Sequence, residues 1–362
     1  MTAQFQVVRQ RRWRGRCLNL NIDPAAIKFE ISHVAPSPGA TFPLPSDGGT
    51  IVGRVHVVTD IGKNTLLDIA RRYDLGYEEI VAANPGTSVW LPRVDARIVV
   101  PTEFVLPPRL WVGIVINVAQ RRLYYFPEPK KGEAAVVVTF PVGIARPGWP
   151  TPLGRTRIIG KFRDPSWIVP KSIQEEHRRD GESRFPIYFP PGPDNPMGML
   201  AMQTGFRGIF IHGTNRPWGV GMRVSHGCLH LYPEDAAELF EHLRKSTPVR
   251  IVSEPYVVGL RNGEVYMASF EPIDDYPNAE SRLTRAVAAV SRILRDERGE
   301  DSRPAVNWDR VLAVARTPRP IPISLNATTR ELNHEVAAIT AERYRYSPYG
   351  TDANDARPPK EN

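Results

Sequence analysis

Residues Ile211 to Leu231 read Ile-His-Gly-Thr-Asn-Arg-Pro-Trp-Gly-Val-Gly-Met-Arg-Val-Ser-His-Gly-Cys-Leu-His-Leu, and they hold three of the chain's eight histidines and one of its two cysteines. His226, Cys228 and His230 alternate, so extended backbone puts them on one face, while His212 arrives from a separate segment upstream. A free thiol has a pKa of about 8.5 and is mostly protonated at neutral pH, but an imidazole beside it can take the proton. Cys228 is then the nucleophile, His212 its base, and the expected chemistry is acyl transfer through a thioester. Gly227 lets the backbone turn tightly and a substrate approach closely, so that the amides around Cys228 donate to a tetrahedral oxyanion.

Two other readings use the same residues. A single cysteine or histidine is often no more than a buried packing group. His212, His226, Cys228 and His230 also offer four nitrogen and sulfur ligands, enough for a tetrahedral zinc ion. No Cys-x-x-Cys pair and no helical His-x-x-x-His accompanies them, so no metal site is assigned. The thioester route needs no cofactor.

The segment resembles the active-site signature of the YkuD-type L,D-transpeptidase catalytic domain, through His212 to Asn215 and Ser225 to Leu229. Thr151 to Gly154, Gly192 to Gly198 and Leu231 to Asp235 extend the likeness towards the subgroup of periplasmic lipoprotein-anchoring and cross-linking enzymes, and it covers residues 41 to 255. The resemblance implies a β-rich catalytic domain, a YkuD-like β-sandwich. In it Cys228 attacks the third residue of a peptidoglycan tetrapeptide stem, an L-centre of a meso-diamino acid, and terminal D-Ala leaves. By the same resemblance His212 is the base, oriented by the Gly213 carbonyl. His226 with the amides of Gly227 and Cys228 shapes the oxyanion pocket, and Ser225, Thr214, Asn215 and His230 join the substrate-binding set. His230 stands where the family usually has Arg or Asn. Histidine is shorter than arginine and titrates near neutrality, which bears on how substrate is anchored.

Composition fits a multidomain enzyme. The 362 residues exceed one typical domain, and 41% hydrophobic content supplies more than one core. No run of eighteen apolar residues is present, so no transmembrane segment is expected. Two cysteines cannot build a disulfide scaffold, and Cys228 reads as a free thiol. The net charge of +8 would suit a polyanion, yet no nucleic-acid motif follows the basic start at Arg9, Arg11, Arg12, Arg14 and Arg16. A carboxylate-rich wall polymer is the partner expected. The start also lacks the apolar stretch of a cleavable export signal, although the family implies the periplasm or cell envelope.

Working outward, residues 1–40 are a basic, Pro-rich segment expected to be poorly ordered. Residues 41–106 form a small α+β unit. Leu66, Ile69, Ala70 and Tyr73 mark a helix face with Asn64 as N-cap, and a second short helix runs from Tyr77 to Ala83. This unit resembles a LysM module, which implies binding to peptidoglycan glycan, with Gly62 to Leu66 departing from the usual Gly-Asp-Thr-Leu. Residues 107–258 are the catalytic domain. Its expected strands are Trp111 to Asn117, Arg122 to Phe126, Val136 to Val142, Arg157 to Gly160 and Ile209 to His212, and a long Pro- and Gly-rich excursion from Lys161 to Gly205 reads as a lid or substrate wall. Pro233 opens a helix whose Ala236, Leu239, Phe240 and Leu243 share a face, and Pro248 to Val252 is the closing strand.

Residues 259–362 read as a helical C-terminal extension. It has helices at Glu280 to Arg298 and Thr329 to Tyr344, an extended Thr317 to Ile323 and a disordered tail at Ala356 to Asn362. The function expected is a cysteine-dependent L,D-transpeptidase passing the stem acyl group to a second stem amine, an outer-membrane lipoprotein lysine or water. Carbapenems are the expected inactivators. The alternative is a catalytically weak or inactive peptidoglycan-binding protein.

Overall fold

The computed structural model describes residues 39–344 apart from 60, 183, 277–279, 297–303 and 327–335. The basic N-terminal segment through residue 38, with Cys17, the beginning of the expected helix at Thr329 to Tyr344 and the C-terminal tail lie outside the described residues.

Nine strands form one large sheet. In chain order they are β1 (Ala40–Pro43), β2 (Gly113–Asn117), β3 (Arg122–Phe126), β4 (Val136–Pro141), β5 (Gly154–Arg163), β6 (Leu200–Thr204), β7 (Phe210–His212), β8 (Leu229–His230) and β9 (Pro248–Val252). Their order across the sheet is β1-β4-β3-β2-β9-β5-β6-β7-β8. Most neighbours are antiparallel, but β2 pairs parallel with β9, and β7 parallel with β8. The β2 run Ile-Val-Ile is apolar throughout because both faces are covered. Ile114 and Ile116 join Leu123, Phe140, Met202, Ile211 and Leu229 on one side. Val115 joins Tyr124 and Val137 on the other.

The first face is closed by α4 (Pro233–His242), which begins with proline at its first turn and buries Ala236, Leu239 and Phe240. Burying side chains such as Leu239 and Phe240 contributes roughly 1.5–3 kcal/mol each. The second face is closed by a strand-helix-helix-strand unit: His56–Thr59, α1 (Leu66–Arg72), α2 (Tyr77–Ala83) and Ile98–Val100, the two strands antiparallel. The cap of α1 is Thr65, not Asn64. Thr65 Oγ1 accepts from Asp68 N, and the Asp68 carboxylate accepts from Thr65 N, a reciprocal box that uses two of the helix's free donors. Asn64 instead donates its side-chain amide to Ile61 O at 2.7 Å.

Buried charge joins α2 to the sheet. Arg122, fully buried, donates to both Glu79 carboxylate oxygens at 2.7 Å, to Thr139 Oγ1 at 3.0 Å and to Asp74 O at 2.7 Å. A second join is steric. A Cβ on Gly76, the N-cap of α2, would lie 2.7 Å from Gly221 Cα, and Gly221 has φ +83°. Tyr77 N donates to Val220 O at 3.0 Å across the same contact.

The excursion between β5 and β6 is more structured than its proline and glycine content suggests. It carries a small ladder of Trp167–Ile168 against Tyr188–Phe189 and the helix α3 (Lys171–Arg179). It leaves and returns across one rung, Arg163 opposite Leu200. Asn195 pins its return, donating to Pro165 O at 2.7 Å and accepting from Met197 N at 2.9 Å.

The C-terminal region is mixed rather than helical. Strands Tyr256–Arg261, Glu264–Ser269 and Arg319–Ser324 make a three-stranded sheet covered by α5 (Arg282–Asp296) and α6 (Trp308–Arg316). The first of these strands crosses residue 258, so the expected catalytic boundary falls inside a strand. The expected helix at Thr329 to Tyr344 is not continuous: its described part enters a strand at Glu342–Arg343, parallel to His56–Thr59. Both departures have one cause: strand pairing here is set by partners distant in sequence, which local periodicity does not show.

Candidate active site

His212 ends β7, and Cys228 directly precedes β8 on the neighbouring parallel strand. Ile211 lies opposite Leu229, and both point into the core. Alternation turns His212 and His230, themselves in register, to the other face with Cys228. The His212 and His230 rings stand 4.6 Å apart. Gly227 has φ +108°, which interrupts the extended run between His226 and Cys228. A Cβ on Gly227 would also come within 3.0 Å of Ile209 Cδ1.

His212 is nearly excluded from solvent, and its Nδ1 lies 2.6 Å from Gly213 O. Burial pushes its pKa down to about 4, against the opposing pull of hydrogen bonds to the Gly213 and Met197 backbone. Cys228 as a whole is half-buried, yet burial of its sulfur pushes the thiol up to about 11. Its Sγ faces Gly208 O at 3.6 Å. No hydrogen bond joins Cys228 to His212 among the described residues. The resting pair is therefore a neutral thiol and a neutral imidazole. His230 is also held well below its ordinary value, first by burial and then by the neighbouring His212.

The remaining expected residues support the strand ends. Ser225 Oγ donates to Cys228 O at 2.5 Å, and Thr151 Oγ1 donates to Gly227 O at 2.8 Å. Thr214, buried, accepts from Arg216 N at 3.0 Å, and Asn215 donates to Asp194 O at 3.0 Å. Gly213 N donates to Leu200 O at 3.0 Å. Gly198 packs on this turn: it has φ +64°, and a Cβ there would meet Thr214 N at 2.9 Å. His230 exchanges backbone hydrogen bonds with Gly143, at 2.8 and 2.9 Å. Among the described residues no group of three or more His, Cys, Asp or Glu side chains is disposed to hold a metal ion.

Three neighbours were not picked out from the sequence: Arg146, Trp149 and Glu176. Arg146 N donates to Ser225 O at 2.9 Å, so this arginine is fixed beside the cysteine motif. Its guanidinium meets the Glu176 carboxylate from α3, and His226 Nε2 meets the same carboxylate at 2.7 Å. Trp149 Nε1 donates to Glu176 at 3.2 Å, and its ring stands edge-on to His226 at 4.8 Å. Burial pushes Glu176 up, but its His226 hydrogen bond and the Arg146 charge outweigh that and hold it below the usual carboxylate range. Burial lowers His226 despite Glu176. For Arg146 and Trp149 the available signal was their nearness in sequence to Thr151 to Gly154. Nothing in the pattern marked Glu176.

The fold and motif define a class. The family model described as the L,D-transpeptidase catalytic domain, YkuD, matches residues 112–251. "Probable L,D-transpeptidase YbiS" of Escherichia coli (strain K12) is 39% identical over 234 residues, 64% of this chain and 74% of that one. "Probable L,D-transpeptidase ErfK/SrfK" of Salmonella typhimurium is 32% identical over 302 residues, 82% of this chain and 94% of its own length. This chain belongs to the L,D-transpeptidase family. No described helix is long and apolar enough to cross a membrane.

Proposed function

We propose that this protein acylates itself on Cys228 with a peptidoglycan tetrapeptide stem, releases D-Ala and passes the acyl group to an amine. The observation that carries this reading is the parallel β7–β8 pair, which presents His212 and Cys228 on one face above a packed core. With the thiol pushed up to about 11 and the imidazole down to about 4, a standing thiolate–imidazolium pair is disfavoured. Proton transfer to His212 then accompanies attack. The Cys228 Sγ–carbonyl carbon bond forms, the carbonyl collapses with loss of the C–N bond to D-Ala, and His212 returns the proton to the departing amine. An acceptor amine, from a second stem or a lipoprotein lysine, reverses the sequence and frees the thiol.

In this reading the protein works in the periplasm or cell envelope. The unit from residue 41 to 106 is LysM-like, and it would hold the glycan while the catalytic domain works on the stem. Its loop between α2 and Ile98–Val100 exposes Trp90 and Leu91, an apolar surface of the kind that stacks on sugar rings.

The test is intact-protein mass after mixing with a disaccharide-tetrapeptide. Wild type is expected to gain the donor minus D-Ala, while Cys228→Ala gains nothing and His212→Ala gains it at least about 100-fold more slowly. Absence of both the adduct and D-Ala release, with retention on insoluble peptidoglycan, would replace this reading by that of a wall-binding protein.

A further inference from the structure

The Glu176 carboxylate is gripped beside the cysteine by an unusual convergence: the Arg146 guanidinium, the Trp149 indole N–H and the His226 ring. Three groups of that kind make a site for a carboxylate, whatever molecule supplies it. Glu176 does not fill the site. It engages Arg146 through Nη2, which also meets His226 Nε2, while Arg146 Nε, shielded from solvent, has no hydrogen-bond partner among the described residues. A carboxylate lying along the Nε–Nη2 edge would make the two-pronged contact that Glu176 forgoes. The Arg146 side chain is 31% exposed but its Nε is covered, so a solute reaches that edge only when Glu176 gives way.

Glu176 is also placed to leave. It sits on α3, a strongly polar helix in which Ile173 is the one buried side chain, within an excursion whose two ends leave the sheet at a single rung.

We propose that Arg146, with Trp149 and His226, seats a carboxylate of the stem peptide next to the scissile bond, and that Glu176 occupies this seat until substrate displaces it. The proposal rests on the stem-peptide reading above, in which two carboxylates of the donor flank the scissile bond: that of the terminal D-Ala and that on the diamino acid side chain. The excursion is thereby a self-occupied lid. Its carboxylate protects the positive seat in the resting state, and exchange for substrate releases α3 from the motif. Arg146 is a specificity residue here and Glu176 an internal competitor.

Binding can be read without chemistry, by calorimetric titration of the Cys228→Ala protein with three ligands: the disaccharide-tetrapeptide, its D-Ala amide and its diamino-acid side-chain amide. One of the two amides is expected to bind about tenfold more weakly than the acid, which names the carboxylate, and that difference is expected to vanish on adding Arg146→Ala. Adding Glu176→Gln is expected to tighten the acid about threefold or more, since a competing state is removed. A purely structural Glu176 would give the opposite sign. Equal binding of all three ligands, no binding at all, or weaker binding in Glu176→Gln would overturn the proposal. Wild-type acylation with no preference between acid and amides would sink the seat alone. A clear acid preference without acylation would sink the thioester reading alone.

Discussion

At the residue scale, the two groups expected to exchange a proton are both held neutral by burial. His212 has a folded pKa of about 4 against an ordinary 6.5, so the unfolded chain binds the extra proton as pH falls between those values. Its contribution to stability is complete above 6.5 and is lost on descent towards 4, about 3 kcal/mol in all. Urea unfolding of wild type should show that loss, and His212→Gln should show a correspondingly flatter pH dependence; equal slopes would mean that the imidazole is not buried as described. The thiol gives a kinetic counterpart. With its pKa pushed up to about 11, alkylation of Cys228 by iodoacetamide should keep accelerating past pH 9, whereas the denatured protein levels off near the ordinary thiol value of about 8.5. Cys228 and His212 stand out on reading because a thiol and three imidazoles fall within one short stretch of sequence. For His226 the alternation argument does not carry over, because it assumes continuous extended backbone and Gly227 at φ +108° interrupts it. Arg146 carries only its nearness to Thr151 to Gly154 as a signal and Glu176 none, because Glu176 sits on a helix that a periodicity reading passes over.

At the scale of elements, apolar stripes were a sound guide where a helix covers a sheet, as in α1 and α4, whose striped residues are the buried ones. They failed for α3, which buries little and so shows no stripe. The contact of α2 with the sheet depends on ionic pairing instead. Arg122→Met leaves Glu79 buried without its partner, and a loss of about 3–5 kcal/mol is expected in guanidinium unfolding. The double variant Arg122→Met with Glu79→Met should recover much of that loss, because the cost lies in stranding one charge. If the single and double variants were equally unstable, packing of the arginine on Phe104, 4.1 Å from its ring centre, would be the dominant contribution.

For the whole molecule, the sequence suggested modules in series, whereas the chain is interleaved. The edge strand β1 comes from residues 40–43 and pairs with β4 of the large sheet. At the other end Glu342–Arg343 returns to pair with His56–Thr59, and Tyr344 packs in the same core as Leu66 and Ile80. Such closure is written in long-range pairings and not in periodicity, which is why neither boundary could be read locally. It also carries a prediction: Tyr344→Ala should cost about 3 kcal/mol, with hydrogen exchange rising in residues 56–100, more than two hundred positions away in sequence. Faster exchange confined to residues near 344 would show that the returning strand is ornamental to that core.

The single rung at Arg163 and Leu200, where the excursion departs and returns, has a consequence for descent as well as for mechanics. Because the two ends meet as neighbours in a sheet, a lineage can lengthen, shorten or exchange everything between them while the strands that carry His212 and Cys228 keep their register. Selectivity in such a scaffold evolves as a cassette, and grafting residues 164–199 from one relative into another is the natural way to move a substrate preference between enzymes.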